Sequence, residues 1–129
     1  MDAQRFPRIS STDDLCRTWQ IILEEQGQGL GRTLWLAWLD PLGVRDPVVA
    51  GIEDVPAQPD ASDIRHIRDL LDHFTDVEAP YILFSRPGSS RVTDSDRRWA
   101  AAIRELHRQG GVERPVLRGV GTLVSVVAS

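Results

Sequence analysis

The segment with the clearest capacity for chemistry has the sequence SRPGSSR over residues 85–91 and joins a predicted strand to a predicted helix. Backbone N–H groups and the helix dipole favour anions at a helix N-terminus. Guanidinium and hydroxyl groups in such a loop add hydrogen-bond donors for a phosphate or a carboxylate. The candidate anion or ligand contacts are Ser85, Arg86, Ser89, Ser90 and Arg91.

The residues that follow this segment suggest a second, structural role. Thr93-Asp94-Ser95-Asp96 has the T-x-x-D pattern of a capping box, in which a hydroxyl and a carboxylate satisfy the first backbone donors of a helix. Asp94 and Asp96 would also repel an anion. We therefore favour helix capping over anion binding at this junction, and keep residues 85–96 as the candidate ligand site.

Other reactive residue types are sparse. His66 and His73 lie on one predicted helix, but their separation exceeds the i, i+4 spacing that zinc-binding helices usually use, so we interpret them as solvated residues. Cys16 has no histidine nearby in the sequence, and a thiol nucleophile needs a base within reach, so a packing role is favoured. Neither a G-x-S-x-G motif nor a phosphate-binding G-x-x-x-x-G-K-[ST] motif occurs. We expect no catalytic residue, no metal and no cofactor.

The composition is that of one globular domain spanning residues 1–129, with 41% hydrophobic and 26% charged residues. We expect residues 1–9 to form a flexible arm and residues 30–127 to form the core. The net charge of −4 argues against nucleic-acid binding. All 15 basic residues are arginine and asparagine is absent, which is typical of a high-GC genome such as an actinobacterial one.

Three further observations predict a cytoplasmic protein that does not enter membranes. No apolar run approaches the roughly 20 residues of a membrane span. The first residues lack the apolar stretch of a signal peptide. The single cysteine cannot form an internal disulfide.

The candidate loop must be positioned by the elements around it. Apolar residues at helical spacing predict a helix over residues 12–26, whose stripe could cover the sheet or dock another chain, as a homodimer or a protein partner. The apolar run at 33–39 predicts a strand covered on both faces, and a second strand follows at 47–52. A helix is predicted from Asp60 or Ser62 to about Thr75, then a strand at 81–84 and a loop at 85–92.

The last predicted elements are a helix that ends near Gln109 and two strands, at 115–118 and 122–127, flanking the glycines of a hairpin at 119–121. The predicted order is α-β-β-α-β-α-β-β. Such an order favours an α/β (α+β) fold, in which a mixed sheet of about five strands packs against three helices.

The junction from Ile82 to Ser89 (ILFSRPGS), followed by Thr93-Asp94-Ser95-Asp96, resembles the RadC-like branch of the JAB/MPN metalloprotease family. In that family a strand ends in His-x-His-Pro-Ser-Gly and a Ser-x-x-Asp pattern follows at the next helix. The resemblance covers roughly residues 30–127 and implies a hairpin, a helix, this strand and helix, and two terminal strands. The junction also resembles that of a group of actinobacterial proteins of unassigned function.

The resemblance does not extend to the family's chemistry. Its members hold zinc with two histidines and an aspartate and use a glutamate as general base, whereas Phe84 and Arg86 stand here at the histidine positions. Asp96 matches the aspartate with a shift of one residue in the loop. Phenylalanine has no lone pair to offer, arginine repels a metal, and one carboxylate cannot supply the three protein ligands of a catalytic zinc site.

The resemblance therefore implies a metal-free, non-catalytic binding or scaffold domain. Two alternatives stay open at this point. In the first, the chain is an α/β protein whose site is the 85–96 segment, and that site either binds a small molecule or anion or carries out catalysis. The other is a partner-dependent oligomeric subunit that docks through the 12–26 helix.

Overall fold

The structure, a computed structural model, describes residues 5–26, 31–73 and 79–127. Its elements are α1 (Thr12–Gln26), β1 (Thr33–Trp38), β2 (Val48–Glu53), α2 (Ala61–Asp72), β3 (Tyr81–Arg86), α3 (Asp94–Gln109), β4 (Leu117–Val120) and β5 (Leu123–Val126). This confirms the predicted α+β class and the predicted order of elements. The expected last turn of the second helix, with Phe74 and Thr75, lies outside the described residues.

The five strands form one mixed sheet in the order β2-β1-β3-β4-β5. The β3–β4 pair is parallel, and the other three pairs are antiparallel. Since β2 and β3 are both antiparallel to β1, they run in the same direction. The two helices α2 and α3 each connect strands of the same direction and lie on one face of the sheet, while α1 covers the other.

Strand β1 lies between two hydrophobic cores, as its unbroken apolar sequence predicted. Leu34 and Leu36 pack into the core beneath α2 and α3. Trp35 and Ala37 point to the opposite face and pack into the core beneath α1. Alternate side chains of a strand point to opposite faces, so only a strand covered on both sides can be apolar throughout.

The apolar stripe of α1 covers the chain's own sheet. Its buried residues pack against side chains of β1, β3, β4 and β5, and comprise Leu15, Trp19, Ile22 and Leu23. Of the two roles that the sequence left open for the 12–26 helix, the structure shows the first.

The described part of the expected flexible arm is attached to the domain. Phe6 is buried in the core beneath α1. The backbone N–H of Ile9 donates to the carbonyl of Pro41 at 2.8 Å. Residues 5–9 thus differ from the expectation of a loose segment, because a single aromatic side chain contributes enough apolar burial to anchor the chain.

Two strand ends differ from the sequence prediction. β3 continues through Ser85 to Arg86, which had been placed in a loop, because it pairs with β4 up to the Arg86–Val120 position. β4 likewise continues through Gly119, which had been placed in the turn. A Cβ on Gly119 would approach Leu23 of α1 to 3.0 Å, so glycine permits the helix to lie close to the sheet.

Among the residues that the structure describes, no helix combines the length and the apolar character that a membrane span requires.

Candidate functional site

Three charged side chains meet where the parallel strands β3 and β4 end and helix α3 begins. β3 contributes Arg86, β4 contributes Arg118, and the first turn of α3 contributes Asp96. Their side chains are exposed by only 6%, 7% and 0%, respectively. Open sheets commonly bind ligands at the carboxyl ends of their parallel strands, so this place in the fold is the natural one for a site.

The carboxylate of Asp96 receives hydrogen bonds from both guanidinium groups. Arg86 donates from Nε to Oδ1 at 2.7 Å and from Nη2 to Oδ2 at 2.9 Å. Arg118 donates from Nη1 to Oδ2 at 2.7 Å. The two contacts of Arg86 form the paired, fork-like geometry that makes arginine–carboxylate pairs strong. We call these three residues the buried ion cluster.

The same carboxylate also caps α3. Thr93 is the N-cap residue, and its hydroxyl accepts from the backbone N–H of Asp96 at 3.1 Å. In return, the backbone N–H of Thr93 donates to Asp96 Oδ2 at 3.0 Å. The capping box predicted from the T-x-x-D pattern is thus confirmed.

The surroundings of Asp96 keep it ionised. Burial alone would raise the pKa of this carboxyl, but hydrogen bonds from Arg86, from the backbone of Thr93 and from Arg118 outweigh burial and hold the pKa far below its ordinary value. The hydrogen bond to Asp96 correspondingly raises the pKa of Arg86. At neutral pH Asp96 is therefore a fixed acceptor and is unsuited to proton transfer.

The two arginines also hold the backbone of the segment between β3 and α3, residues 87–92, which we call the 87–92 loop. Arg86 donates to the carbonyls of Pro87, at 3.0 Å, and Arg91, at 2.7 Å. Arg118 donates to the carbonyls of Ser90, at 2.7 Å, and Arg91, at 3.2 Å. Buried guanidinium groups thus hold the loop backbone in place, although every residue of the loop is exposed at the surface.

No family model, curated protein or solved structure matches this chain.

The remaining candidate residues lie in different environments. Phe84 is a core residue whose ring stacks on Trp99, with centroids 5.5 Å apart and an interplanar angle of 15°. Ser85 faces the α1 side, where its Oγ accepts from Trp35 Nε1 at 2.8 Å. The structure therefore joins Arg86 to Asp96 directly, places Ser89, Ser90 and Arg91 on the exposed loop, and leaves Phe84 in the core.

The sequence analysis missed Arg118. One signal could have revealed it, because Arg118 lies in a β-rich run whose neighbours, Val116 and Leu117, are apolar. A charged residue inside a buried strand requires a partner of opposite charge. Asp96, predicted in the capping box of the helix after the 85–92 loop, is a carboxylate of the required charge.

The other titratable candidates do not form a site. His66 and His73 are exposed on or beside α2. In the described ranges, no three His, Cys, Asp or Glu side chains come together in a way that could hold a metal ion. Burial, with a smaller contribution from Asp13, raises the pKa of the Cys16 thiol, so this cysteine lacks the thiolate character of a nucleophile.

His107, on the buried side of α3, should make the fold sensitive to mild acid. Burial and the nearby Arg114 cation lower the pKa of its imidazole, and a hydrogen bond with the Arg114 backbone only partly opposes them. A lowered pKa means that the unfolded chain binds the proton more tightly. The contribution of neutral His107 to stability is therefore fully present above about 6.5, the pKa of histidine in the unfolded chain. It is lost as the pH falls below that value.

We expect the variant H107L to remove this dependence, so that its stability relative to the natural chain improves steadily from pH 7 to pH 5. Urea unfolding followed by circular dichroism across that range measures the difference. The matched control is H66L, which removes an exposed histidine of α2. An improvement in H66L as large as in H107L would contradict the argument from burial.

Proposed function

We propose that this chain is a cytoplasmic, non-catalytic binding domain that presents the 87–92 loop to an anionic group of a partner molecule. The observation that carries the proposal is the anchoring of three loop carbonyls, those of Pro87, Ser90 and Arg91, to buried guanidinium groups. Binding residues often lie on loops that a rigid scaffold positions. A loop that is already ordered loses little entropy when a partner binds.

The charge distribution favours an anionic partner. The buried ion cluster contains two guanidinium groups for one carboxylate, which leaves a formal excess of one positive charge beneath the loop. Above it, Arg91 and the hydroxyls of Ser89 and Ser90 are exposed. Asp94, the first acid after the loop in the sequence, is paired with Arg97 at 3.1 Å, which weakens its repulsion of an anion. Phosphate and carboxylate groups fit this combination of donors.

A small-molecule site or active site at residues 85–96 has less support. That alternative requires the guanidinium groups of Arg86 and Arg91 to face one pocket. Each nitrogen of the Arg86 guanidinium already donates to Asp96, Pro87 or Arg91. Arg86 therefore acts through the loop backbone, and Arg91 is left as the cation that a partner can reach.

The proposal includes a relationship to metal-free members of the RadC-like JAB/MPN group. What supports it is the order of strand, loop and capped helix at residues 81–109. The residues at the family's ligand positions have packing and ion-pair roles in this fold, since Phe84 stacks on Trp99 and Arg86 pairs with Asp96. A domain with these replacements can retain a binding surface while it lacks the family's zinc chemistry.

A titration of ¹⁵N-labelled protein with inorganic phosphate and with O-phosphoserine tests the proposal. We expect backbone amide shifts confined to the loop and the start of α3, and an affinity about tenfold lower in R91A, as for the loss of one charge-assisted hydrogen bond. R65A, which removes an exposed arginine of α2, is the matched control. Amides of residues 86–96 that do not move, or an equal loss in R65A, would exclude anion binding at this loop.

A further inference from the structure

The outer edge of β2 is an open edge of the sheet. β2 (Val48–Glu53) is the first strand in the sheet order and pairs with β1 on one side only. Within the described ranges no strand pairs with its other side, and Val48, Ala50, Gly51 and Glu53 are exposed. Backbone N–H and C=O groups of alternate residues therefore face outward, where another strand could pair with them.

Between Pro47, which precedes the strand, and Glu53, which ends it, this edge lacks the features by which proteins keep such strands apart. Edge strands are usually short or interrupted by lysine, proline or a bulge. The sequence VVAGI at residues 48–52 has no charge and no proline, and Val48 is 66% exposed. The opposite edge strand, β5, is shorter, with four residues against six in β2. An uncharged run of five residues along an edge indicates that a partner covers it.

The charges at the two ends of β2 identify the partner. Arg45 precedes the strand with 86% of its side chain exposed, and the ion pair that it makes with Asp40 is a long 3.9 Å. The neighbouring Asp46 is paired with Arg5 at 3.7 Å. Glu53 ends the strand and Asp54 follows it, both exposed. A second β2 in antiparallel orientation would bring Arg45 of each copy to the acidic end of the other. A parallel arrangement would bring like charges together.

We propose that the chain forms a two-fold symmetric homodimer through antiparallel pairing of β2 with β2 of a second copy, which continues the sheet across both molecules. An interface of this kind is self-complementary, because each residue contacts its counterpart in a symmetric pattern. The inference is independent of the 87–92 loop, which lies outside β2.

The symmetric register that fits the side chains is centred on Val49. It places Val48 of one copy opposite Ala50 of the other, so that exposed apolar side chains cover each other, and it places Arg45 opposite Glu53. Centring on Ala50 would set Asp46 against Asp54, two like charges. Centring on Gly51 would set Val48 against Asp54. Of the three registers, the one centred on Val49 sets Arg45 opposite an acid, although it also sets Asp46 opposite Ile52.

A cavity beside the acidic end of β2 adds a third carboxylate, that of Asp63, to the negative charge at this end. It has a volume of about 450 Å³ and lies between the end of β2 and α2, with Glu53, Asp54 and Asp63 among its lining residues. Ile52 and Ile67 also line it.

Sedimentation equilibrium across a range of protein concentrations tests the proposal, with multi-angle light scattering as a second measure of mass. We expect a dimer for the natural chain and at least about tenfold weaker dimerisation in V48K, which adds a charge to the edge. L123K, the same kind of change at an exposed residue of β5, is the matched control and should leave dimerisation unchanged.

The charge pattern is tested by a swap. We expect R45E and E53R each to weaken the dimer and the double variant R45E/E53R to restore it. Circular dichroism verifies folding, and both residues are exposed, so folded variants are expected.

Several results would overturn the proposal. These are a monomer at all concentrations, a dimer that L123K weakens but V48K does not, or a charge swap that fails to restore binding. A monomer that carries a co-purified peptide would assign the edge to a different chain. Open-ended growth into filaments would indicate pairing of unlike edges.

Discussion

Replacing Asp96 by asparagine should lower the free energy of unfolding by about 3–5 kcal/mol, because the change leaves two buried guanidinium groups without a counter-charge. The side chain of Asp96 is fully buried and accepts from Arg86, Arg118 and the backbone of Thr93. Asparagine has the same size but is neutral, and its single carbonyl oxygen cannot replace both carboxylate oxygens as hydrogen-bond acceptors. Since domains are stable by only about 5–15 kcal/mol, the loss should be visible as a large shift in the urea midpoint.

The matched control for this variant is D94N, which removes a carboxylate from the same helical turn. Asp94 is 87% exposed and pairs with Arg97 at the surface. The urea unfolding midpoint of D94N should hardly change, because exposed ion pairs contribute little to the free energy of unfolding. Equal midpoints for D96N and D94N would contradict the description of the buried ion cluster.

Because the pKa of Asp96 is lowered, the destabilisation of D96N should depend on pH in a defined way. Hydrogen bonds to the arginines and to Thr93 outweigh burial and lower this pKa, so the stabilisation is complete at pH values above the ordinary 3.8 and is lost only as the pH falls below it. We expect the difference between the natural chain and D96N to stay constant from pH 7 to pH 5. The difference should shrink only in strong acid.

Truncating Trp99 to alanine should cost about 3–5 kcal/mol, the usual range for removing a large aromatic side chain from a core. Trp99 is 1% exposed, stacks on Phe84 and donates from Nε1 to the carbonyl of Pro56 at 2.8 Å. That hydrogen bond ties the connection between β2 and α2 to helix α3. The variant therefore loses core packing and an anchor for a surface segment at once.

The control W99F separates the two contributions. Phenylalanine keeps a ring on Phe84 but cannot donate to Pro56, and should cost about 1–2 kcal/mol for the hydrogen bond and the smaller side chain. Thermal and urea unfolding of both variants measure the difference. A W99F variant as unstable as W99A would show that the Pro56 hydrogen bond, rather than core packing, dominates.

Helices and strands were predictable here because their patterns are local. The stripe of α1 and the uninterrupted apolar run of β1 each fix an element and its burial within a few residues of sequence. The capping box of α3 was predictable for the same reason, since Thr93 and Asp96 lie within one helical turn. The end of β3 was not, because its last residues are held in the sheet by β4, a distant part of the chain.

The candidate site was predictable in part. Arg86 and Asp96 were singled out together, but as replacements at metal-ligand positions, and their roles as ion-pair partners depend on the way α3 returns to the sheet. Arg118 completes the cluster from β4. Its apolar neighbours indicate that it needs a partner of opposite charge, but they do not indicate which residue that partner is. The docking role considered for helix 12–26 could not be decided without knowing that its stripe already covers β3 and β4.

Anchoring of the loop backbone has a consequence for proteolysis. An exposed segment that contains glycine, serine and arginine is where trypsin would ordinarily cut first. A protease must draw several residues into extended form in its cleft, and here the carbonyls of Ser90 and Arg91 are bonded to arginines beneath the surface. Cleavage after Arg91 would require β3, β4 and α3 to separate. The rate of this cut should therefore follow the unfolding of the whole domain.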